Sequence, residues 1–185
     1  MRITGGQARG IQLCVPKGKA VRPATDRMRE AVFSRLGAGI EGARVLDLFA
    51  GSGSYGLEAL SRGAASVTFV ERDQRTRSLL SNNLLGVKKA FVGAGQAVVF
   101  GGDALTAQVG AAGFDFIFAD PPYELWPVSA TALFDRFADL LAAGGQVVAE
   151  SPGGQLYLPP GWECVRRLGD VGGQGPGISF LRKTD

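Results

Sequence analysis

Residues 44–56 read RVLDLFAGSGSYG: a short apolar strand, a glycine-rich turn and the beginning of a helix. Gly51-x-Gly53-x-x-Gly56 lies between strand and helix, and the acidic Glu71 follows twenty residues after Gly51. That spacing marks a nucleotide-cofactor loop at the first strand of an open α/β sheet, without saying which cofactor. Asp47 discriminates, because it stands near the carboxyl end of the strand, four residues before the first glycine. A carboxylate at the mouth of the loop repels a pyrophosphate and attracts a ligand that carries an ammonium and a sulfonium. The loop therefore favours S-adenosylmethionine over NAD, with Asp47, Phe49, Ala50, Gly51, Ser52 and Gly53 around it. The plain alternative for Asp47 is a helix cap or a turn residue.

Outward from this loop, strands and helices alternate, the pattern of a doubly wound parallel sheet. The expected strands are 44–49, 66–71, 97–100, 114–119 and 146–150. Between them the spacing predicts helices at 55–62, at 73–85 closed by Gly86, at 104–110, and at 129–142 opened by Ser129. Ala130, Leu133, Phe134, Phe137, Leu140 and Leu141 form the apolar stripe of the last helix. Two further strand-like runs, 162–168 and 178–182, flank the turn-rich GDVGGQGPG and read as an antiparallel hairpin, giving seven strands. Residues 1–42 break the rhythm: 12–15 is extended, 16–23 is loop, and Thr25 opens a basic helix that runs to Leu36. In that helix Met28, Ala31, Val32 and Leu36 share a face, leaving Arg27, Arg29 and Arg35 largely on others. The division expected is an N-terminal extension, 1–42, on a sheet domain, 43–185.

Composition sets the outer limits. With 185 residues and 45% hydrophobic content, the chain can bury one substantial core and is no disordered segment. The absence of histidine removes a Ser-His-Asp triad, a histidine base and the commonest zinc ligand. Cys14 and Cys164 are 150 positions apart, so no Cys-x-x-Cys pair exists, and no metal is expected. No apolar run is long enough for a membrane span or a signal peptide, and a cytoplasmic monomer is expected. Charge is unevenly spread: residues 1–42 hold eight Lys/Arg against three acids, whereas the other 143 residues hold 12 against 14. A basic arm on a weakly acidic body points to a polyanionic partner; a merely solvated charged face is the other reading.

Acids recur at strand ends. Glu71, with Arg72 beside it, ends the second strand, where a carboxylate can accept from ribose hydroxyls. Asp103, with Ala104, follows the third and can accept from an adenine amine. After the fourth comes Asp120-Pro121-Pro122-Tyr123, whose Asp120 is expected to border the cofactor as well as the substrate. Two prolines stiffen that loop and, having no N–H, leave carbonyl oxygens as its available backbone hydrogen-bonding groups, so the loop is built to accept. An exocyclic amine on a base offers two N–H donors, which Asp120 and a carbonyl such as that of Pro121 can take. Tyr123 adds a flat face for an unstacked base.

Asp47-Leu-Phe-Ala-Gly-Ser-Gly53 together with Asp120-Pro-Pro-Tyr123 resembles the S-adenosylmethionine-dependent amino-group methyltransferases of nucleic acids. Met1-Arg-Ile, Gly6, Arg9-Gly10, Leu13, Arg22-Pro23, Thr25-Asp26-Arg27 and Arg29-Glu30 narrow the resemblance to the RsmD family. The resemblance implies a Rossmann-like class I methyltransferase fold with an N-terminal hairpin and helix that help hold RNA. It also implies transfer of a methyl group to the N2 amine of guanine 966 in 16S ribosomal RNA, free or in an assembling small subunit. Arg9, Arg22, Arg27 and Arg29 become the candidate phosphate contacts. Competing readings are an amino-methyltransferase acting on another RNA base, a DNA base or a protein amide, and a catalytically silent RNA-binding protein. A dehydrogenase comes last, for want of a histidine or a Tyr-x-x-x-Lys pair.

Overall fold

Phe116–Ala119 and Val147–Ala149 are continuous apolar runs, as strands covered on both faces require. They lie in the middle of a seven-stranded sheet. A computed structural model of the chain describes residues 1–16, 25–91, 93–110, 112–152, 158–169 and 175–184. The strands are β1 (Arg44–Leu48), β2 (Ser66–Glu71), β3 (Gln96–Gly101), β4 (Phe114–Ala119), β5 (Leu141–Pro152), β6 (Trp162–Gly169) and β7 (Pro176–Lys183). Across the sheet their order is β3-β2-β1-β4-β5-β7-β6. Strands β1 to β5 pair in parallel, while β7 runs antiparallel to both β5 and β6. This is the Rossmann-like class I arrangement expected, with its terminal hairpin.

Helices α1 (Asp26–Leu36), α2 (Ser54–Ser61), α3 (Gln74–Ala90) and α4 (Trp126–Leu140) cover the sheet. Side chains of a strand alternate between faces, so Val45 joins the core under α1, α2 and α3, whereas Leu46 and Leu48 join the core under α4. The first thirteen residues fold back as a hairpin, with Ile3 N donating to Ile11 O at 3.0 Å and Leu13 N to Met1 O at 3.0 Å. Ile3, Ala8 and Leu13 are buried in the same core as Val32 and Phe33 of α1 and Leu57 and Leu60 of α2. Hairpin and α1 therefore share one apolar core with the sheet. No described helix is long and apolar enough to cross a membrane.

Several local expectations need correction. Gly86 does not close α3, which continues to Ala90 because Val87 is fully buried and anchors the last turn. No helix forms at 104–110: Leu105 N bonds to the Asp103 side chain, and Thr106 N and Ala107 N bond to its carbonyl, giving a single turn. Ser129 does not open α4. That helix starts at Trp126, because Pro127 presets its first turn and the Trp126 indole is buried. Strand β5 begins at Leu141 rather than after the Gly144-Gly145 pair, which the strand absorbs as an irregularity opposite β4. The inner face of α1 carries Arg29, Val32 and Phe33, and Ala31 faces outward.

Candidate active site

The strand order reverses between β1 and β4, and ligands of open α/β sheets bind outside the carboxyl ends of the strands at that point. A cleft of about 760 Å³ opens there, of a size suited to a small-molecule ligand. Its floor is the loop after β1. Phe49 has φ of 60°, the only positive φ at a non-glycine among the described residues, and Ala50 N donates to Val70 O at 3.0 Å. A bulky residue in the left-handed region costs energy that the surrounding bonds must hold, as at many ligand loops. Phe49, Ala50, Gly51 and Ser52 border the cleft. Gly53 instead starts α2 from behind, where φ is 82° and an added Cβ would lie 2.1 Å from Leu80. At Gly56 a Cβ would come within 2.3 Å of the Phe69 ring, so this glycine lets α2 lie close on β2.

The strand-end acids meet around this floor. Asp47 is buried and accepts from Gly56 N at 2.9 Å, so it holds the helix start while bordering the cleft. Burial pushes its carboxyl up to about 8, with the charge of Glu71 adding to the rise and the Gly56 bond opposing it. Glu71 accepts from Gly51 N at 2.9 Å and from Asp73 N at 2.8 Å, tying the end of β2 to the loop and to α3. Arg72, Asp103 and Ala104 complete that side.

Opposite stand Asp120, Pro121, Pro122 and Tyr123, which lead from β4 through a 3₁₀ turn (Tyr123–Leu125) into α4. Tyr123 donates its hydroxyl to Glu150 Oε1 at 3.2 Å and keeps a partly exposed ring. Glu150, at the carboxyl end of β5, is buried on the same cleft. Its carbonyl accepts from Trp126 Nε1 at 3.0 Å, while Oε2 has no hydrogen-bond partner among the described residues. Burial, then the neighbouring Glu150 and Asp47 charges, push the Asp120 carboxyl well above its usual range. Burial raises Glu150 too, against the Tyr123 bond. Tyr55, whose ring stacks on Phe118 at 5.2 Å, brings a buried hydroxyl that also lacks a partner among the described residues.

Three desolvated carboxyls around one cleft, with buried oxygens unspent, suit a cationic occupant that brings N–H donors. S-adenosylmethionine, with its sulfonium and ammonium, fits that set of acceptors. Sequence reasoning missed Glu150 and Tyr55. The signal for Glu150 was available, since the expected strand 146–150 ends on it as 66–71 ends on Glu71.

The basic arm divides. Arg9 and Arg27 are exposed, and Arg22 lies outside the described residues. Arg29 overturns its expected place on the surface: it is fully buried, bonding Asp26 Oδ1 at 2.8 Å and the Arg2 carbonyl, with Nε 4.0 Å from Glu58 Oε2. Glu58 of α2, itself buried, puts an opposite charge beside the buried guanidinium. The start of the arm helix reaches the cleft through Thr25 and Met28.

Residues 1–171 match the family model described as Conserved hypothetical protein 95. The chain is also 38% identical over 176 residues to ribosomal RNA small subunit methyltransferase D of Escherichia coli, covering 90% of this chain and 83% of that one. The chain belongs to the RsmD family. Among solved structures, Escherichia coli yhhF, to which a methyltransferase activity is attributed, matches with a TM-score of 0.81 at 33% identity, over 100% of this chain and 98% of that one. SMU.776, solved with S-adenosylhomocysteine, shares the fold at a TM-score of 0.66 and 15% identity, over 88% of this chain and 50% of that one.

Proposed function

We propose that this S-adenosylmethionine-dependent ribosomal RNA methyltransferase modifies the N2 amine of a guanine in small-subunit RNA, at position 966 of 16S. What supports the reading is the Asp120-Pro-Pro-Tyr123 loop on the cleft, joined to family membership. Asp47 and Glu71, with Asp103 beyond them, are the residues that hold the cofactor, over the Gly51 turn. When bound, it supplies a methyl group on a sulfonium sulfur, which leaves as a neutral thioether when nitrogen takes the methyl.

The chain's own residues prepare the nitrogen. An amine conjugated to a purine ring is a poor nucleophile, because its lone pair is delocalised. Asp120 and the Pro121 carbonyl accept its two N–H bonds and hold the nitrogen partly pyramidal, an interaction that strengthens toward the transition state. The Tyr123 ring supports the unstacked base, with its hydroxyl fixed by Glu150. The proton shed by the methylated amine passes to Asp120, whose raised pKa suits it to receive one, or to water.

Mass spectrometry of 16S RNA from a deletion strain tests the reading. The methyl group on guanine 966 should be missing, restored by the wild-type gene and not by Asp120→Ala. With purified protein, Asp120→Ala should lower kcat by about a hundredfold or more and leave S-adenosylhomocysteine binding intact. A methyl group lost from a different nucleotide refutes the target. Activity within about threefold of wild type, about 0.7 kcal/mol, refutes the role of Asp120.

A further inference from the structure

We infer that Glu150 reads the Watson–Crick edge of the target base, its Oε2 accepting from the ring N1–H of guanine and so selecting guanine. This rests on the guanine reading above and adds a specificity-determining residue to it.

Placement comes first. Ala119 of β4 pairs with Ala149 of β5, so Glu150 continues its strand directly beside Asp120. Neighbouring strands lie about 4.8 Å apart, the scale on which adjacent atoms of one base edge can be read. Glu150 is only 5% exposed and borders the cleft that Asp120 and Tyr123 also border. Its Oε1 already takes the Tyr123 hydroxyl, at 3.2 Å, while Oε2 has no partner among the described residues. A buried carboxyl oxygen without a donor is costly, and a fold keeps one where a ligand supplies the donor.

Base chemistry identifies that donor. Guanine presents N2–H₂ and N1–H side by side. With Asp120 and Pro121 on the amine, the next group along the edge is a second donor, which a carboxylate oxygen complements. Adenine and cytosine carry a lone pair next to their amines, and a carboxylate there repels it. The charges of Asp120 and Glu150 bear on each other, and a base edge made of donors relieves both. The Tyr123 bond to Oε1 also makes one side chain fix both the stacking ring and the edge reader. The competing donor is the cofactor's ammonium, and the experiment separates the two.

An RNA fragment carrying guanine or 2-aminopurine at the target position probes the contact: 2-aminopurine keeps the amine and lacks both N1–H and O6, and the change of preference in Glu150 variants isolates the part owed to N1–H. In wild type kcat/KM should favour guanine. In Glu150→Ala the guanine-to-2-aminopurine ratio should fall about tenfold or more, and in Glu150→Gln, which keeps an acceptor oxygen, by less. The affinity for S-adenosylhomocysteine, measured by calorimetry, should stay within about twofold. If Glu150→Ala does not fold, the near-isosteric Glu150→Gln carries the test, with a threefold fall as the threshold. An unchanged ratio overturns the inference, however far both rates drop. So does a tenfold loss of S-adenosylhomocysteine affinity with the ratio preserved, which assigns Glu150 to the cofactor. A wild-type enzyme that methylates an adenine or cytosine control and leaves guanine untouched overturns the guanine reading itself, before any variant is made.

Discussion

Glu58 and Glu150 are both buried glutamates, and their surroundings are opposite. Glu58 accepts from Thr4 N, Thr4 Oγ1, Gly5 N and Arg62 Nε at 2.7 to 2.9 Å, with Arg29 close behind. Those bonds hold the N-terminal hairpin and α1 against α2, so a charge that would be costly alone becomes a clasp. Glu150 stands among carboxyls instead, with Asp120 nearby and one oxygen unspent. A buried acid with a full set of donors is part of the framework. One held next to other acids, on a cleft, awaits donors from a ligand.

The largest expected effect follows from Glu58. Glu58→Ala leaves the buried Arg29 and the half-buried Arg62 without their shared carboxylate and should cost about 3 to 5 kcal/mol in chemical denaturation. Hydrogen exchange at Thr4 and Gly5 should accelerate with it. Glu150→Gln should leave the denaturation midpoint unchanged or raised, since it removes a charge set against Asp120. Equal losses at the two sites would break the comparison.

Asp47 gives a smaller effect with a definite sign. Its carboxyl titrates at 3.8 when free and at about 8 in the fold, so the folded state binds more protons between those limits. Its ionisation therefore takes stability away as pH rises through that window. A cationic cofactor favours the ionised form and displaces the proton. Affinity for S-adenosylmethionine should consequently rise from pH 6 to 8, by up to about tenfold per unit, and level off above. Asp47→Asn should flatten that rise. Calorimetry in buffers of different ionisation enthalpy would detect the released proton, and a flat profile in wild type would remove Asp47 from the cofactor's electrostatics.

Much of the sheet was legible because its signals are local. Ser66–Glu71 and Phe114–Ala119 stand where their sequence put them, and the acids at strand ends lead to one cleft. The misreadings share a cause in partners distant along the chain. Nothing in the helical period of 25–36 tells that Arg29 turns inward, because only its bond to Asp26 is local, while its carbonyl acceptor is on the hairpin and the buried Glu58 that it faces at 4.0 Å is on α2. Ser129 lost to Pro127 because Trp126 packs at the end of β5, a contact that spans 24 residues. Glu150 shares only a strand-end position with Glu71 and carries no motif around it. Only the register of β4 against β5 brings it beside Asp120.

The smallest effects belong to the exposed side of the clasp. Arg9 and Arg27 point outward from the elements that Glu58 and Arg29 lock down, and Arg27 lies between Thr25 and Met28, both of which border the cleft. RNA that delivers a base to Asp120 would run its backbone past this arm, and each arginine that neutralises a phosphate releases counterions. Arg9→Ala and Arg27→Ala should therefore each flatten the log–log dependence of RNA affinity on salt by about 0.7 to 0.9, without lowering the thermal midpoint. Arg22→Ala tests the same expectation. Arg29→Ala should do the reverse, leaving the slope alone and lowering stability, because its guanidinium is spent inside the protein. Cofactor affinity should not move in the Arg9, Arg22 or Arg27 variants. If the slopes of Arg9→Ala, Arg22→Ala and Arg27→Ala all equal that of wild type, the basic arm is a solvated surface, and the clasp then serves to complete the core rather than to present arginines to RNA.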